Sequence, residues 1–281
     1  MKDISNKYIV EKLGKNHVRL PLWLDDLIYK DIKANHQPCR RDMVVLHWDK
    51  ARILKYLGTY FPRSFAESYC IFTKYFELKK ELYKETSTLN IFDFGCGTGG
   101  ELLGLLWAIM ENIEVANINI KALDGNFNGL RILEDIITRF KDEHHVGVNL
   151  HVMPLKIDDI YDMSLVSSRI PDDNDIILIF KSICEMASLR QFEERNPYEH
   201  VLRLMLEKIN STGVICLADV SSFNEEQQEW LPKLIDKACQ KVKANVFMRN
   251  DNYNELYIVS HSRKMKDSSK LSWRLLTGNK I

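Results

Sequence analysis

The segment Asp93-Phe94-Gly95-Cys96-Gly97-Thr98-Gly99-Gly100 carries the most legible chemistry in this 281-residue chain. It sets an acid and four glycines between an apolar run, Leu89 to Phe94, and a longer apolar stretch, Gly99 to Met110. A strand that turns sharply into a helix needs residues without a Cβ, both to reach unusual torsions and to let a ligand approach the backbone. A nucleotide-like cofactor can lie across such a turn, with an amino-acid end near Asp93 and a ribose beyond it. Gly95, Gly97 and Gly100 also satisfy GxGxxG, a pattern that a dinucleotide-binding oxidoreductase shares.

Asp124 ends the next apolar run, where a carboxylate can accept hydrogen bonds from ribose hydroxyls in either class of protein. Three features separate the two. Asp93 stands immediately before the glycines, where a carboxylate attracts an ammonium group and repels a pyrophosphate. Asp158 and Asp159 follow the third apolar run, placed to bond an adenine amino group or, equally, to cap a helix near Ile160. The third is the expected direction of the last strand, taken up below.

Past the fourth run lies Lys181-Ser182-Ile183-Cys184-Glu185-Met186, at the carboxyl end of the sheet where open α/β folds place their chemistry. Glu185 could take a proton from an acceptor and Lys181 could orient an anionic one, although charged loop residues commonly serve as solvated or capping groups. Upstream, Tyr60-Phe61-Pro62-Arg63-Ser64 could fold over a cofactor as a lid. Arg63 could then pair with a cofactor carboxylate, or be a surface arginine near a helix start.

The elements that must position these residues fall into two regions. Residues 1 to 88 read as helical, with His47 to Tyr56 and Ser64 to Tyr83 carrying apolar residues at helical spacing around a break at Phe61-Pro62. From Leu89 onward strands alternate with helices. The strand candidates are Leu89 to Phe94, Val115 to Leu123, Val148 to Met153, Asp175 to Phe180 and Gly213 to Asp219. The crossover helices are Gly99 to Met110, Phe127 to Lys141 and Tyr198 to Ile209. A helix over Glu225 to Lys241 leads to two short strands, Ala244 to Met248 and Glu255 to His261. The short Arg249 to Asn254 link suits a hairpin, so the last strand should run antiparallel. Lys264 to Ile281 shows neither period and reads as a flexible tail. The expectation is an α/β, Rossmann-like, seven-stranded and mostly parallel sheet with an antiparallel last strand. The domains would be an N-terminal helical cap over 1–88, the sheet domain over 89–263 and a tail over 264–281.

A chain of this size with 45% hydrophobic residues can bury one sizeable core. Its longest apolar stretch, Leu102 to Met110, is far short of the ~20 residues of a membrane span, and the N-terminus lacks a signal-like apolar region, so the default location is cytoplasmic. Six scattered cysteines without a CxxC pair read as reduced thiols, and His144 and His145 as solvated loop residues, so no metal is expected. The net charge is zero, but residues 1–55 carry 12 Lys+Arg against 7 Asp+Glu, residues 240–281 carry 9 against 3, and the middle 18 against 29. Basic ends flanking an acidic centre could guide a polyanion such as RNA, or be no more than solvated termini.

FDFGCGTGG, Asp124 in ALDGN, Asp158 in LKIDD, and the strands DIILIFKSICEM and GVICLADV together resemble the ordered motifs of class I S-adenosylmethionine-dependent methyltransferases. The resemblance spans about residues 89–261. It implies that Asp93, Gly95, Gly97 and Gly99 contact the methionine part, Asp124 the ribose and Asp158 the adenine. Thr98, Gly125 and Asn126 join them on the same turns, and Phe180 and Lys181 border the transfer pocket. The cofactor would be S-adenosylmethionine. KARILKYLGTYFPRSFAESYCIF is similar to the helical prelude of the ribosome-associated methyltransferase-like family, but the cysteines that ligate an iron–sulfur cluster in many of those proteins have no counterpart here.

The fourth strand lacks the Asn/Asp-Pro-Pro-Tyr/Phe element of amino-directed nucleic-acid methyltransferases, and Cys184 lacks a Pro-Cys context. Methylation of an exocyclic base amine is therefore disfavoured, while carbon, ribose, carboxylate and other acceptors stay open; the basic ends and the upstream likeness favour RNA as the substrate, with a small molecule close behind. A non-catalytic cofactor-binding or RNA-assembly protein is the alternative.

Overall fold

The computed structural model describes residues 9–38, 49–224, 229–250, 253 and 255–277. His47 and the start of the helix expected at Glu225 lie outside the described residues, as do the last four of the expected tail. In chain order, β1 (Lys12–Gly14) and β2 (His17–Arg19) precede α1 (Leu22–Asp26), whose π-helical continuation is Leu27–Asp31. Then come α2 (Lys50–Lys79), β3 (Thr88–Phe94), α3 (Gly100–Asn112), β4 (Asn117–Asp124), α4 (Phe127–His144) and β5 (Gly147–Pro154). They are followed by α5 (Ser164–Arg169), β6 (Asn174–Phe180), α6 (Ile183–Met186), α7 (Leu189–Glu194), α8 (Pro197–Lys208) and β7 (Ile209–Val220). The chain ends with β8 (Phe223–Asn224), β9 (Glu229–Trp230), α9 (Leu231–Lys241), β10 (Asn245–Arg249), β11 (Leu256–His261) and β12 (Lys264–Thr277).

Ten of these strands form one sheet, in the order β1-β2-β11-β12-β7-β6-β3-β4-β5, with β10 also paired to β12; β8 and β9 form a separate ribbon. The five strands β5, β4, β3, β6 and β7 are parallel, and β12 lies antiparallel beside β7. Period-two alternation sends Ile91, Ile176, Leu178 and Val214 into a core shared with α2, α3 and α4. Phe92, Ile177, Ile179 and Ile215 enter a second core beneath α8 and α9. Among the described residues no helix is long and apolar enough to cross a membrane.

Three expectations change. The antiparallel strand is β12, inside the segment read as a tail, and it makes the sheet longer than seven strands. β10 and β11 do not form a hairpin with each other: both lie antiparallel to β12, end to end on one edge of it. The hairpin is instead β11–β12, turning at Ser262–Arg263.

The third change is in the helical prelude. β1 and β2 add to the sheet edge, with β2 parallel to β11, and α2 runs unbroken through Pro62. Proline lacks the N–H that would bond the carbonyl four residues back, at Gly58. The Tyr29 hydroxyl donates to that carbonyl at 2.6 Å and replaces the missing bond. The prelude is a packed layer, because α2 shares a core with α3. A Cβ on Gly104 would lie 2.3 Å from the Phe65 carbonyl oxygen, so the two helices meet backbone to backbone.

Candidate functional site

The glycine turn is a left-handed staircase, with φ of 73° at Gly95, 51° at Gly97 and 78° at Gly99. Side-chain-bearing residues avoid this region, which is why glycine recurs at every second position. The end of β4 fastens the turn: Gly95 and Cys96 donate backbone N–H groups to the Leu123 carbonyl at 2.8 and 3.1 Å. Gly97 donates to Asp124 Oδ2 at 2.8 Å, and Asn126 to Asp124 Oδ1 at 2.7 Å. The Asn126 side chain caps α4 through the amides of Asn128 and Gly129.

Above this turn lies a cleft of about 770 Å³, a size that suits a nucleoside-like ligand. Of the residues singled out in the sequence, Gly95, Gly97, Asp124, Gly125, Asn126, Asp158, Lys181 and Glu185 line it. Asp93, Thr98 and Phe180 are buried beneath it, and the space beside Gly99 is filled by Leu133. Asp158 is exposed at the rim and pairs with Lys156. Asp159 caps the turn at Tyr161 and accepts from Gln191, and the helix there begins only at Ser164.

Arg63 does not reach the cleft. Its Nε and a terminal nitrogen bond both oxygens of Asp267 on β12, at 2.9 and 2.8 Å. A planar guanidinium matched to a buried carboxylate is a strong, directional pair, so α2 is fastened to the sheet there and is no loose lid. His144 is buried, taking the Trp23 indole N–H at 3.2 Å and packing against Trp107 and Phe140; His145, in the left-handed conformation, is exposed.

Asp93 is fully buried, and neither of its carboxylate oxygens has a hydrogen-bond partner. Burial first, then the neighbouring acids Glu101 and Asp124, push its carboxyl well above the usual range. Burial likewise pushes Glu101, in the first turn of α3, up to about 8. Sequence reasoning passed over Glu101, whose signal was an acid opening an otherwise apolar helix. It also passed over Tyr56, whose ring lies 3.4 Å from where a Cβ on Gly97 would stand and lines the cleft with the turn. Burial and the facing acids Glu185, Glu101 and Asp124 push the Tyr56 phenol up, so it stays protonated and can donate.

Lys181 holds φ at 55°, a conformation costing ~1–3 kcal/mol for a residue with a side chain. Its N–H donates to the Ala218 carbonyl at 2.8 Å, and its ammonium reaches Glu67 Oε2 at 2.5 Å. The bend delivers Ser182, buried with its hydroxyl unpartnered, to the cleft floor beside Gly95. Asp219 secures the following turn, taking the Cys184 N–H at 3.2 Å and the Tyr198 hydroxyl at 2.8 Å.

The fold also gathers His36, His261 and Asp267, whose ligand-type atoms lie within 4.8 Å of one another. No sequence spacing announces this cluster. Asp267 already serves Arg63 and Lys264. His261 Nδ1 accepts the Arg263 N–H at 3.3 Å, and its Nε2 lies 3.6 Å from Asp267. With Arg63 and Lys264 already on its one carboxylate, the cluster is a poor metal site.

No protein-family model matches the chain, and no curated protein sequence matches it. Among solved structures, it is similar to a precorrin-6y C5,15-methyltransferase from Geobacter metallireducens, at 14% identity over 73% of this chain and 87% of that one, with a TM-score of 0.42. It is also similar to the rRNA methyltransferase aviRa from Streptomyces viridochromogenes, at 12% identity over 75% and 84%, with a TM-score of 0.42. Likeness at this level names no family and no substrate.

Proposed function

We propose that the cleft binds S-adenosylmethionine and that the protein, working in the cytoplasm, transfers its methyl group to an acceptor. The observation that carries this reading is the left-handed glycine staircase fastened to Asp124 and opening on the cleft, above the unpartnered carboxylate of Asp93. Buried polar atoms without partners cost stability and mark places completed by a ligand or a proton. The acids of the floor, whose charged forms burial disfavours, would be drawn to ionise by a cationic cofactor and not by a pyrophosphate.

When bound, the cofactor supplies an electrophilic methyl group. In this reading Asp124, each of whose oxygens keeps a lone pair beyond its backbone bond, accepts from the ribose hydroxyls, and Asp158 accepts from the adenine amino group. Gly95 and Gly97 allow close approach, with Gly125 and Asn126 shaping the adjacent wall. Asp93 offers its unpartnered carboxyl beneath the amino-acid end, where an approaching ammonium group would favour its ionised form. Ser182 and the Tyr56 phenol are positioned to orient the acceptor, and Glu185 to receive its proton. Lys181, held by Glu67, braces the bend and is not offered to an anionic acceptor.

Thermal unfolding with ligands checks the cofactor. S-adenosylmethionine or its demethylated product should raise the melting temperature, whereas protection by a nicotinamide dinucleotide alone would replace this reading with an oxidoreductase. Label transfer from methyl-tritiated cofactor into RNA, protein and metabolite fractions then tests turnover. Cofactor binding without transfer to any fraction would favour a non-catalytic assembly protein.

A further inference from the structure

The sheet extension built from β2, β11 and the first half of β12 has two unlike faces. One is covered by the helical layer and takes Val18, Tyr257, Val259, Asp267 and Ser269. The opposite face takes His17, Arg19, Leu256, Ile258, Lys266, Ser268 and Lys270, all exposed or half-buried. Strand alternation thus sorts the charges: Asp267 and Glu255 point inward, to Arg63 and Lys74, while Lys266 and Lys270 point outward. Glu11 lies beside this outer face, paired with Arg19. Burial, then Lys266 and Arg19, push the His17 imidazole down, as expected of a ring among cations. Leu256, 46% exposed, and the half-buried Ile258 lie between the cationic rows.

The extension stands near the cleft. The last pair between β12 and β7 is Leu271 with Val220, and Trp273 faces Ala218 at the level of Phe180. At ~3.4 Å per residue and ~4.8 Å per strand, Lys270 lies about 10 Å beyond the end of β6 and about 10 Å to its side. Lys266 lies about 14 Å further along β12.

We infer that this outer face holds an RNA strand, with its phosphates on Lys266, Lys270 and Arg19 and its unpaired bases on Leu256 and Ile258, and that it presents the strand to the cleft. Cations interleaved with apolar side chains on an open sheet suit a single strand, whose backbone is anionic and whose base faces are apolar. The Ser268 hydroxyl, exposed between the two lysines, offers a donor and an acceptor to a ribose 2′-hydroxyl, which favours RNA over DNA. The docking stands apart from turnover, and it rests on the methyltransferase reading only in making the RNA the acceptor.

The test is fluorescence anisotropy with an unstructured 20-nucleotide RNA and DNA of the same sequence. Three neutralised phosphates predict RNA binding about 20-fold weaker at about 200 mM than at about 50 mM salt. Lys266→Glu/Lys270→Glu should weaken RNA binding at least tenfold at low salt and flatten the salt dependence, with unchanged melting temperature and unchanged cofactor binding. Lys80→Glu/Lys141→Glu, the same charge change on other elements, should bind as the wild type does. Salt-independent binding, an unaffected Lys266/Lys270 variant, equal loss in the control pair, or equal affinity for DNA would each overturn the assignment. Loss of RNA binding in the variant of a protein that binds no S-adenosylmethionine would keep the docking face and remove the methyltransferase reading.

Discussion

The Lys181 ammonium lies 2.5 Å from Glu67 Oε2, while Glu67 Oε1 takes the Ser269 hydroxyl at 2.5 Å. One buried carboxylate therefore joins the strained bend after β6, the long helix α2 and the sheet extension. Removing one member of a buried ion pair leaves the other charge uncompensated, at a cost of ~3–5 kcal/mol. Glu67→Gln should lose about that much in urea unfolding, and adding Lys181→Met should recover most of it. A double variant no more stable than Glu67→Gln would mean that the ion pair is not the connection that matters.

The Arg63–Asp267 pair makes a parallel prediction about binding. Arg63→Met should destabilise the protein by ~3 kcal/mol or more and leave the affinity for S-adenosylmethionine within about twofold (about 0.4 kcal/mol). A large loss of affinity in a folded Arg63→Met protein would return Arg63 to the cleft.

Pro62 and Tyr29 can be separated by a double-mutant cycle. Tyr29→Phe leaves the Gly58 carbonyl without its donor and should cost ~1–3 kcal/mol. Pro62→Ala restores a backbone N–H at the right place, so it should be less damaging, or even stabilising, in the Tyr29→Phe background. Simple additivity of the two changes in chemical denaturation would contradict the substitution of one donor for the other.

Glu101 yields a pH dependence. Its carboxyl titrates at about 8 in the folded chain and near the ordinary ~4.3 when unfolded. Between these values the folded state holds a proton that the unfolded state has lost, so this group makes stability fall as pH rises from about 5 to about 8. Lowered histidines such as His36 act in the opposite sense below about 6.5, so the comparison must be with Glu101→Gln. The variant should gain on the wild type steadily across that range. Parallel pH profiles for the two proteins would show that Glu101 is ionised throughout.

The central parallel strands and their crossover helices were legible because their apolar alternation is uninterrupted, and the glycine turn because its torsions admit little else. β12 was not. Its first half, Lys264 to Lys270, reads as polar on both faces, since its inward residues Asp267 and Ser269 meet Arg63 and Glu67 in place of an apolar core. The continuity of α2 was hidden for a similar reason: the group that satisfies Gly58 is a tyrosine more than thirty residues upstream of Pro62. Of the site, the residues on turns stood out by type. Glu101 and Tyr56 did not, because helical spacing alone cannot distinguish a side chain facing a cleft from one facing the core.

Isothermal calorimetry of S-adenosylmethionine, with the wild type and with Asp124→Ala, tests the central claim most directly. The arrangement predicts one saturable site in the wild type and a loss of at least tenfold in affinity when the carboxylate that fastens the glycine turn is removed. No heat of binding at millimolar ligand, or equal affinity in the two folded proteins, would contradict it.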